Sequence, residues 1–320
     1  MYQIFFDAFQ EGQWFQSQHQ TLSNAELLPF PSNNEIVKFP IQFQNALSMD
    51  RPDIILCQNF IPILVVERTV EVPSGHNVGQ RFARMVAAAK HQIPSIYKAP
   101  YAARKHGGET EGPRYINLRL KYAFEKMSKQ HNDISITMLN WPVDNDYEII
   151  RDHRKDVDIK EYLNEFFKVY NNYNLIAVSN HINKSALTVR INLELDQFID
   201  SKVKRPSQYD APPPSVRIIS ATEFCLETNI TNQVRPVVVY KIGMKKIRSD
   251  PYTGCAYLYA VLYCNGISRP DKDMCLHMEH ISLKSWKELS GNNNRKDIRL
   301  YKAIADFLYL KDAILNKSQF

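Results

Sequence analysis

Two carboxylates lie at the ends of neighbouring apolar runs near the start of the chain. Asp53 opens the run "DIILC", and Glu67 lies in the longer run "IPILVVERTVEV". The segment that follows carries three amide or guanidinium groups, those of Gln80, Arg81 and Arg84. Carboxylates held together beside an apolar sheet repel each other, and a divalent cation relieves that repulsion. One interpretation is a metal site next to a basic helix that contacts a phosphate backbone. The other is a hairpin and a surface helix whose polar residues face water.

The elements that must position these groups are a hairpin and a helix. Pro52 favours an extended path, and residues 53–57 and 61–72 are each rich in β-branched and apolar residues, which is typical of strands. Both runs are nearly continuous in apolar residues, so we expect an antiparallel hairpin at the centre of a sheet. Residues 78–92 show helical spacing of apolar positions, and residues 93–102 indicate a buried strand. The order strand, strand, helix, strand predicts a mixed α/β core.

The hairpin predicts which chemistry these residues can perform. Alternate side chains of a strand share a face, so Glu67, Thr69 and Glu71 are expected to project together, with Asp53 nearby on the neighbouring strand. Mg²⁺ prefers oxygen ligands and is commonly bound through one or two carboxylates together with a substrate phosphate. It lowers the pKa of a bound water and polarises a phosphate ester. The residues therefore indicate hydrolysis of a phosphodiester.

Residues 50–100 resemble a known family. "PD" at 52 and 53, a spacer that spans the hairpin, and "VVERT" with Glu67 are similar to the PD-(D/E)xK nuclease core of many type II restriction endonucleases. The resemblance implies a restriction-endonuclease-like mixed sheet flanked by helices. It also implies Mg²⁺ held by Asp53 and Glu67, with help from the backbone carbonyl of Arg68. The expected activity is site-specific cleavage of double-stranded DNA.

The chain departs from the family pattern two positions after the acid. Thr69 stands where the family usually has Lys, and a hydroxyl donates a hydrogen bond without carrying charge. The catalytic set expected here is therefore Asp53, Glu67, Thr69 and Gln80. Gln80 and Arg81 are the natural substitutes for the missing charge, and Glu71 is an alternative second carboxylate.

A proline-rich stretch at 202–215 is the best candidate for a domain boundary. We expect a nuclease core at 1–205 and an α+β region at 206–320 that serves DNA recognition or dimerisation. Three further elements are predicted: a short helix near "NAELL", apolar runs at 234–244 and 257–267 around a turn, and a closing helix over 297–315.

Basic residues indicate where nucleic acid would bind. The net charge of +6 suits an anionic partner. Arg81 and Arg84 follow the hairpin, and a second group lies in the strand and loop over 237–254, namely Lys241, Lys245, Lys246 and Arg248. The alternative for that segment is an exposed hairpin. Cutting both strands of a duplex favours a homodimer with a two-fold axis.

Two rival functions stay open. The missing Lys favours a non-catalytic nucleic-acid-binding protein with a nuclease-like fold. The third hypothesis is a repair or mobile-element nuclease that acts with partner proteins.

The amino-acid composition limits which class of protein this chain can belong to. Hydrophobic residues make up 44% and charged residues 23% of the 320 residues, as in soluble globular proteins. No apolar run is long enough to span a bilayer and the first residues do not resemble a signal peptide, so we expect a cytoplasmic protein without membrane contact. The five cysteines are odd in number and widely spread, which predicts reduced thiols.

Overall fold

A computed structural model describes residues 1–104, 112–171, 174–249, 251–268, 270–291 and 295–320. The chain forms two compact units. The first consists of Met1–Gly75, Arg84–Asn117 and Met127–Lys204, and the second of His76–Ala83, Leu118–Lys126 and Arg205–Phe320. The chain therefore passes from the first unit to the second for the last time after Lys204. Two short segments from the first half of the chain also belong to the second unit.

The first unit is built on a six-stranded mixed sheet with the order β2-β1-β3-β4-β5-β8. Its strands are β1 (Tyr2–Phe6), β2 (Glu26–Pro29), β3 (Ile54–Gln58), β4 (Ile61–Arg68), β5 (Ser95–Ala99) and β8 (Ile136–Asn140). Two short strands, β6 (Ala102–Arg104) and β7 (Pro113–Tyr115), pair separately. Strands β3 and β4 form an antiparallel hairpin at the centre of the sheet, as predicted, and β4, β5 and β8 run parallel.

Helices cover both faces of this sheet. They are α1 (Phe9–Gln16), α2 (Ile41–Ala46), α3 (Phe82–Lys90), α5 (Val157–Val169), α6 (Leu175–Lys184) and α7 (Ala186–Lys202), whereas α4 (Leu118–Gln130) belongs mostly to the second unit. Side chains of α1, α5, α6 and α7 pack in one apolar cluster against Ile54 and Val66. Side chains of α2 and α3 pack in another against Ile55 and Val65. The first unit is thus α/β, with a mixed sheet flanked by helices, and this part of the predicted fold is confirmed.

A two-residue turn closes the central hairpin. Asn59 and Phe60 both adopt left-handed backbone conformations, with φ of 50° and 66°. Turns of this kind match the right-handed twist of the two strands they join. Because the turn contains only two residues, it fixes which residues of β3 and β4 pair with each other, apart from an irregularity between Leu56 and Cys57. The far ends of the hairpin are therefore held opposite each other.

The second unit contains a five-stranded sheet with the order β13-β12-β11-β10-β9. The strands are β9 (Val216–Ile219), β10 (Val237–Lys241), β11 (Asp273–Met278), β12 (Phe307–Leu310) and β13 (Ile314–Asn316). The helices are α8 (Ala221–Thr228), α9 (Tyr252–Tyr263), α10 (Leu283–Ser290) and α11 (Lys296–Ile304). Strands β10, β11 and β12 are parallel, so each crossover between them contains a helix.

Four predictions about these elements were wrong. Residues 24–28 contain strand β2 in place of a short helix, because β1 provides a parallel partner for them. The strand predicted over 61–72 ends at Arg68. The turn predicted between the apolar runs at 234–244 and 257–267 is partly helical, because α9 begins at Tyr252 and contains most of the second run. The closing helix predicted over 297–315 ends at Ile304, and the rest forms β12 and β13, which pair in the sheet.

In the part of the chain that the structure describes, no helix combines the length and the apolar character needed to cross a membrane.

Candidate functional site

The hairpin brings the two predicted carboxylates together. Ile54 pairs with Val66 and Ile55 with Val65. Continuing this register by one residue places Asp53 opposite Glu67, and strand alternation puts both on the sheet face that bears Ile55 and Val65. That face is the one covered by α2 and α3. Glu67 is fully buried and Asp53 is 7% exposed. Two acids are thus held next to each other in a largely dry environment.

Each carboxylate also accepts a hydrogen bond from the backbone of the opposite strand. The backbone N–H of Asp53 donates to Oε1 of Glu67 at 3.2 Å. The backbone N–H of Arg68 donates to Oδ2 of Asp53 at 2.8 Å. Fixed donors of this kind lock the orientation of a carboxylate. The two side chains therefore need little reordering to act as a pair.

Arg84, from the first turn of α3, closes the site. Its Nη1 donates to Oε1 and Oε2 of Glu67 at 3.0 and 3.2 Å and to Oδ1 of Asp53 at 3.4 Å. Its Nε donates to Oδ2 of Asp50 at 2.8 Å. Burial alone lowers the pKa of this guanidinium, but Glu67, Asp50 and Asp53 outweigh that effect and hold the pKa above its usual range. Arg84, predicted to contact DNA, is a cation bound to three carboxylates in this structure.

Thr69 and Glu71 lie beyond the end of β4. The backbone N–H of Thr69 donates to the carbonyl of Lys98 at 2.9 Å, which extends the pairing with β5 by one residue. The hydroxyl oxygen of Thr69 accepts a hydrogen bond from the backbone N–H of Glu71 at 3.0 Å. Because the chain turns here, strand alternation does not extend to Glu71, whose side chain is exposed. The alternation predicted to place Glu71 on the face of Glu67 therefore stops at the end of β4.

Gln80 and Arg81 lie immediately before α3, in the segment that belongs to the second unit. The backbone N–H of Gln80 donates to the carbonyl of Asn77 at 3.0 Å, and Arg81 has a left-handed backbone with φ of 69°. The predicted helix over 78–92 starts four residues later than expected, at Phe82. Its first turn consequently contains Arg84, while Gln80 and Arg81 precede it.

The reverse face of the sheet carries a second polar group under the site. The guanidinium carbon of Arg68 lies 4.3 Å from the ring centroid of Trp14 and 5.3 Å from that of Trp141. Lys98, paired with Arg68 across β4 and β5, is fully buried and donates from Nζ to the carbonyl of Asn140 at 3.2 Å. Burial lowers the pKa of Lys98 to about 8, although nearby aspartates oppose the change. A buried lysine therefore lies one strand away from Glu67, on the opposite face.

Of the four basic residues predicted to contact DNA in the C-terminal half, Lys241 ends β10 and the other three lie on a loop of the second unit. The loop runs over 242–249, from the end of β10 toward α9. Ile242, Met244 and Ile247 are buried and anchor it. The phenol of Tyr301 fixes it further by donating to the carbonyl of Arg248 at 2.8 Å. The side chains of Lys245, Lys246 and Arg248 remain exposed.

The four predicted cations differ in their contacts. Lys241 Nζ forms an ion pair with Glu279 at 2.7 Å. The guanidinium of Arg248 lies over the ring of Tyr252, 5.0 Å from its centroid, and donates to its hydroxyl at 3.1 Å. Lys245 and Lys246 line a cavity of 350 Å³ together with His280, Ser285, Glu288 and Arg295. This cavity lies beyond the carboxyl ends of β10 and β11, where open parallel sheets commonly bind ligands.

Asp53 and Glu67 supply carboxylate oxygens, the donor type that Mg²⁺ prefers, and these oxygens are bonded to Arg84 in this structure. The two carboxylates share one cationic donor, and the carbonyl of Arg68 follows Glu67 in the chain. Mg²⁺ takes hard oxygen ligands of this type when waters and a phosphate complete its coordination shell. Within the described ranges, no three His, Cys, Asp or Glu side chains are grouped closely enough to form a metal site by themselves.

Sequence reasoning missed Asp50 and Lys98. Asp50 lies three residues before Asp53 in the acidic "MDRPD" segment, and this proximity was the available signal. Lys98 lies in an apolar strand, where a lone lysine gives no indication of the strand pairing that places it beside Arg68.

Comparisons with protein-family models, with curated proteins and with solved structures gave no significant match to this chain.

Proposed function

We propose that this protein is a Mg²⁺-dependent endonuclease with a restriction-endonuclease-like fold that cleaves double-stranded DNA at specific sites. The observation that carries the proposal is the pairing of Asp53 with Glu67 across a central hairpin, both bonded to Arg84 Nη1. A helix and a parallel strand follow this hairpin, in keeping with the mixed sheet flanked by helices that the sequence resemblance implies. These features of the site support a role in phosphodiester hydrolysis.

Asp53, Glu67 and the backbone carbonyl of Arg68 would hold the metal. When bound, Mg²⁺ supplies a water of lowered pKa and charge stabilisation on the scissile phosphate. The backbone N–H groups of Asp53 and Arg68 orient the two carboxylates. The Thr69 hydroxyl accepts from the backbone of Glu71 and keeps its own proton to donate.

DNA contacts are assigned to Arg81 in the turn before α3 and to the exposed loop over 242–249. Lys245, Lys246 and Arg248 project from a backbone that buried side chains hold in place, so their charges are presented without ordering a flexible segment. The duplex has two strands to be cut, which favours a homodimer related by a two-fold axis. A site of this kind needs no further cofactor than Mg²⁺.

A second candidate function is non-catalytic binding of nucleic acid. Two observations favour it: Arg84 neutralises the carboxylates, and Thr69 stands at the position where the family pattern has Lys. A protein with this arrangement would bind DNA through the basic loop and leave it intact. The repair or mobile-element nuclease differs from both because it would cut without site preference or would require a partner protein.

The proposal is tested by digestion of supercoiled plasmid of mixed sequence with Mg²⁺. Asp53→Asn and Glu67→Gln preserve the shape of each side chain and remove its charge. Asp152→Asn is the matched control, because Asp152 pairs with Arg154 at the surface. Wild type and the control should give discrete fragments, and the two site variants should lose at least about 100-fold in rate.

Each alternative outcome has a separate meaning. An intact plasmid that still shifts in a gel supports the binding protein, and a smear of fragments supports a nuclease without site preference. Cleavage that survives in Asp53→Asn and Glu67→Gln at the wild-type rate contradicts the proposed site.

A further inference from the structure

One guanidinium occupies the position between the carboxylates that the proposed function assigns to the metal. Arg84 Nη1 lies 3.0 Å from Oε1 of Glu67 and 3.4 Å from Oδ1 of Asp53. Arg84 Nε lies 2.8 Å from Oδ2 of Asp50. The side chain of Arg84 is 18% exposed, so the contact is partly shielded from solvent. The lone pairs that Mg²⁺ would use are directed at a positive charge that belongs to the protein.

A divalent ion and this guanidinium cannot both bind these oxygens in the same way. Like charges at such short range repel strongly where water is scarce. Arg84 uses different nitrogens for its different partners. Nη1 contacts the two proposed metal ligands, and Nε, at the other end of the guanidinium, contacts Asp50. Asp50 belongs to the chain just before β3, outside the hairpin pair. It can keep the arginine paired when Nη1 leaves Glu67 and Asp53.

We propose that Arg84 is an internal counter-ion that a divalent cation displaces from Glu67 and Asp53, and that Asp50 retains Arg84 during the exchange. This inference rests on the proposed function, because it assigns the metal to the same two acids. In the metal-free protein Arg84 prevents the buried acids from repelling each other. It also weakens metal binding, because the ion must first displace a bonded cation. Arg84 is therefore a positioning residue that sets the affinity of the site.

The test measures Mn²⁺ binding to the full-length protein by isothermal titration calorimetry. Arg84→Met and Arg84→Gln both remove the charge, and the second keeps a hydrogen-bonding group. Arg190→Met is the matched control, because Arg190 also contacts three carboxylates, those of Asp158, Glu161 and Glu194. Both Arg84 variants should bind Mn²⁺ about tenfold more tightly than wild type or better. Arg190→Met should bind as wild type does.

The outcomes separate this inference from the proposed function. If wild type binds Mn²⁺ and cuts DNA but neither Arg84 variant binds Mn²⁺ more tightly, the inference is overturned and the proposed function stands. The same gain in Arg190→Met also overturns it, because the effect would then be a general consequence of lost positive charge. No Mn²⁺ binding by any form of the protein overturns both.

A measurement on the wild-type protein covers the case in which neither Arg84 variant folds. With ¹⁵N-labelled arginine, the Nε–H signal of Arg84, identified by its loss in Arg84→Lys, should shift and saturate as Mg²⁺ is added. If Glu67→Gln abolishes that shift, the displacement occurs at the proposed acids. A signal that stays unchanged while Mg²⁺ binds overturns the inference.

Discussion

Arg84 and Glu67 form a salt bridge in which Nη1 lies 3.0 Å from Oε1 and the acid is completely buried. The pair joins α3 to the end of β4, so it ties the helix to the hairpin at the candidate site. A buried charge pair of this kind contributes little net stability when intact, but loss of one partner leaves the other desolvated without compensation. The stability of the site and its chemistry are therefore linked through the same two side chains.

A double-mutant cycle measures that link. Glu67→Gln should destabilise the metal-free protein by about 2–3 kcal/mol, because the buried Arg84 keeps only its aspartate partners. Arg84→Met should have a comparable effect. The double variant should be more stable than the sum of the two changes predicts by about 1 kcal/mol or more, since both partners are then removed. Urea denaturation followed by tryptophan fluorescence gives these values, and strict additivity would contradict the salt bridge.

The buried lysine beneath the site predicts a pH dependence of stability. The pKa of Lys98 is about 8 in the folded protein, below its usual 10.5. Between these values the unfolded chain binds a proton that the folded protein does not, so stability rises with pH. Below about pH 8 the full cost of burying the charge is present, about 3 kcal/mol.

Comparison with Lys98→Met isolates this contribution. The stability of wild type relative to the variant should increase by about 2 kcal/mol between pH 7.5 and 9.5. Urea denaturation of both proteins across this range is the measurement. Because the two proteins share all other titrating groups, a difference that stays flat with pH would show that Lys98 is not buried as a neutral amine.

Two glycines in the second unit allow a close approach of backbone to backbone. A Cβ at Gly254 would lie 1.6 Å from the carbonyl oxygen of Gly79, and a Cβ at Gly79 would lie 2.1 Å from the backbone nitrogen of Cys255. Alanine stabilises a helix by about 1 kcal/mol relative to glycine. The clash at Gly254 costs about 3 kcal/mol or more, so the net effect of an alanine there is destabilising.

We expect Gly254→Ala to destabilise the protein by about 2 kcal/mol in denaturant titrations. Gly243→Ala is the control, because nothing lies within 4 Å of its Cβ position and its backbone is not left-handed. That variant should stay within about 0.5 kcal/mol of wild type. Equal effects of the two substitutions would rule out the close packing of Gly79 and Gly254.

The basic loop over 242–249 predicts how DNA affinity responds to salt. Lys245→Ala and Lys246→Ala should each weaken binding of a duplex by a similar factor for all sequences and reduce the slope of log affinity against log salt by about one. Lys241→Ala should change the slope less, because Lys241 is already paired with Glu279 at 2.7 Å. Fluorescence anisotropy at several salt concentrations measures the slopes, and an unchanged slope in the first two variants would remove the loop from the interface.

Local sequence determined the hairpin and the identity of its acids. Residues 54–57 and 63–66 are apolar without interruption and rich in β-branched residues, a pattern typical of buried strands. Alternation along those strands then put Asp53 and Glu67 on one face. The order strand, strand, helix, strand followed from the same patterns.

Only the tertiary structure decided the partners of these residues. Whether Arg84 faces solvent or the two acids depends on how α3 packs on β4, and whether Lys98 lies under the site depends on the parallel pairing of β4 with β5. The segments at 24–28 and 307–316 became strands because partners from distant parts of the chain were available to pair with them. Propensity acts over a few neighbouring residues, whereas pairing and burial depend on contacts between residues far apart in the sequence. The chain itself therefore specified the two acids, and the fold supplied the cation that binds them.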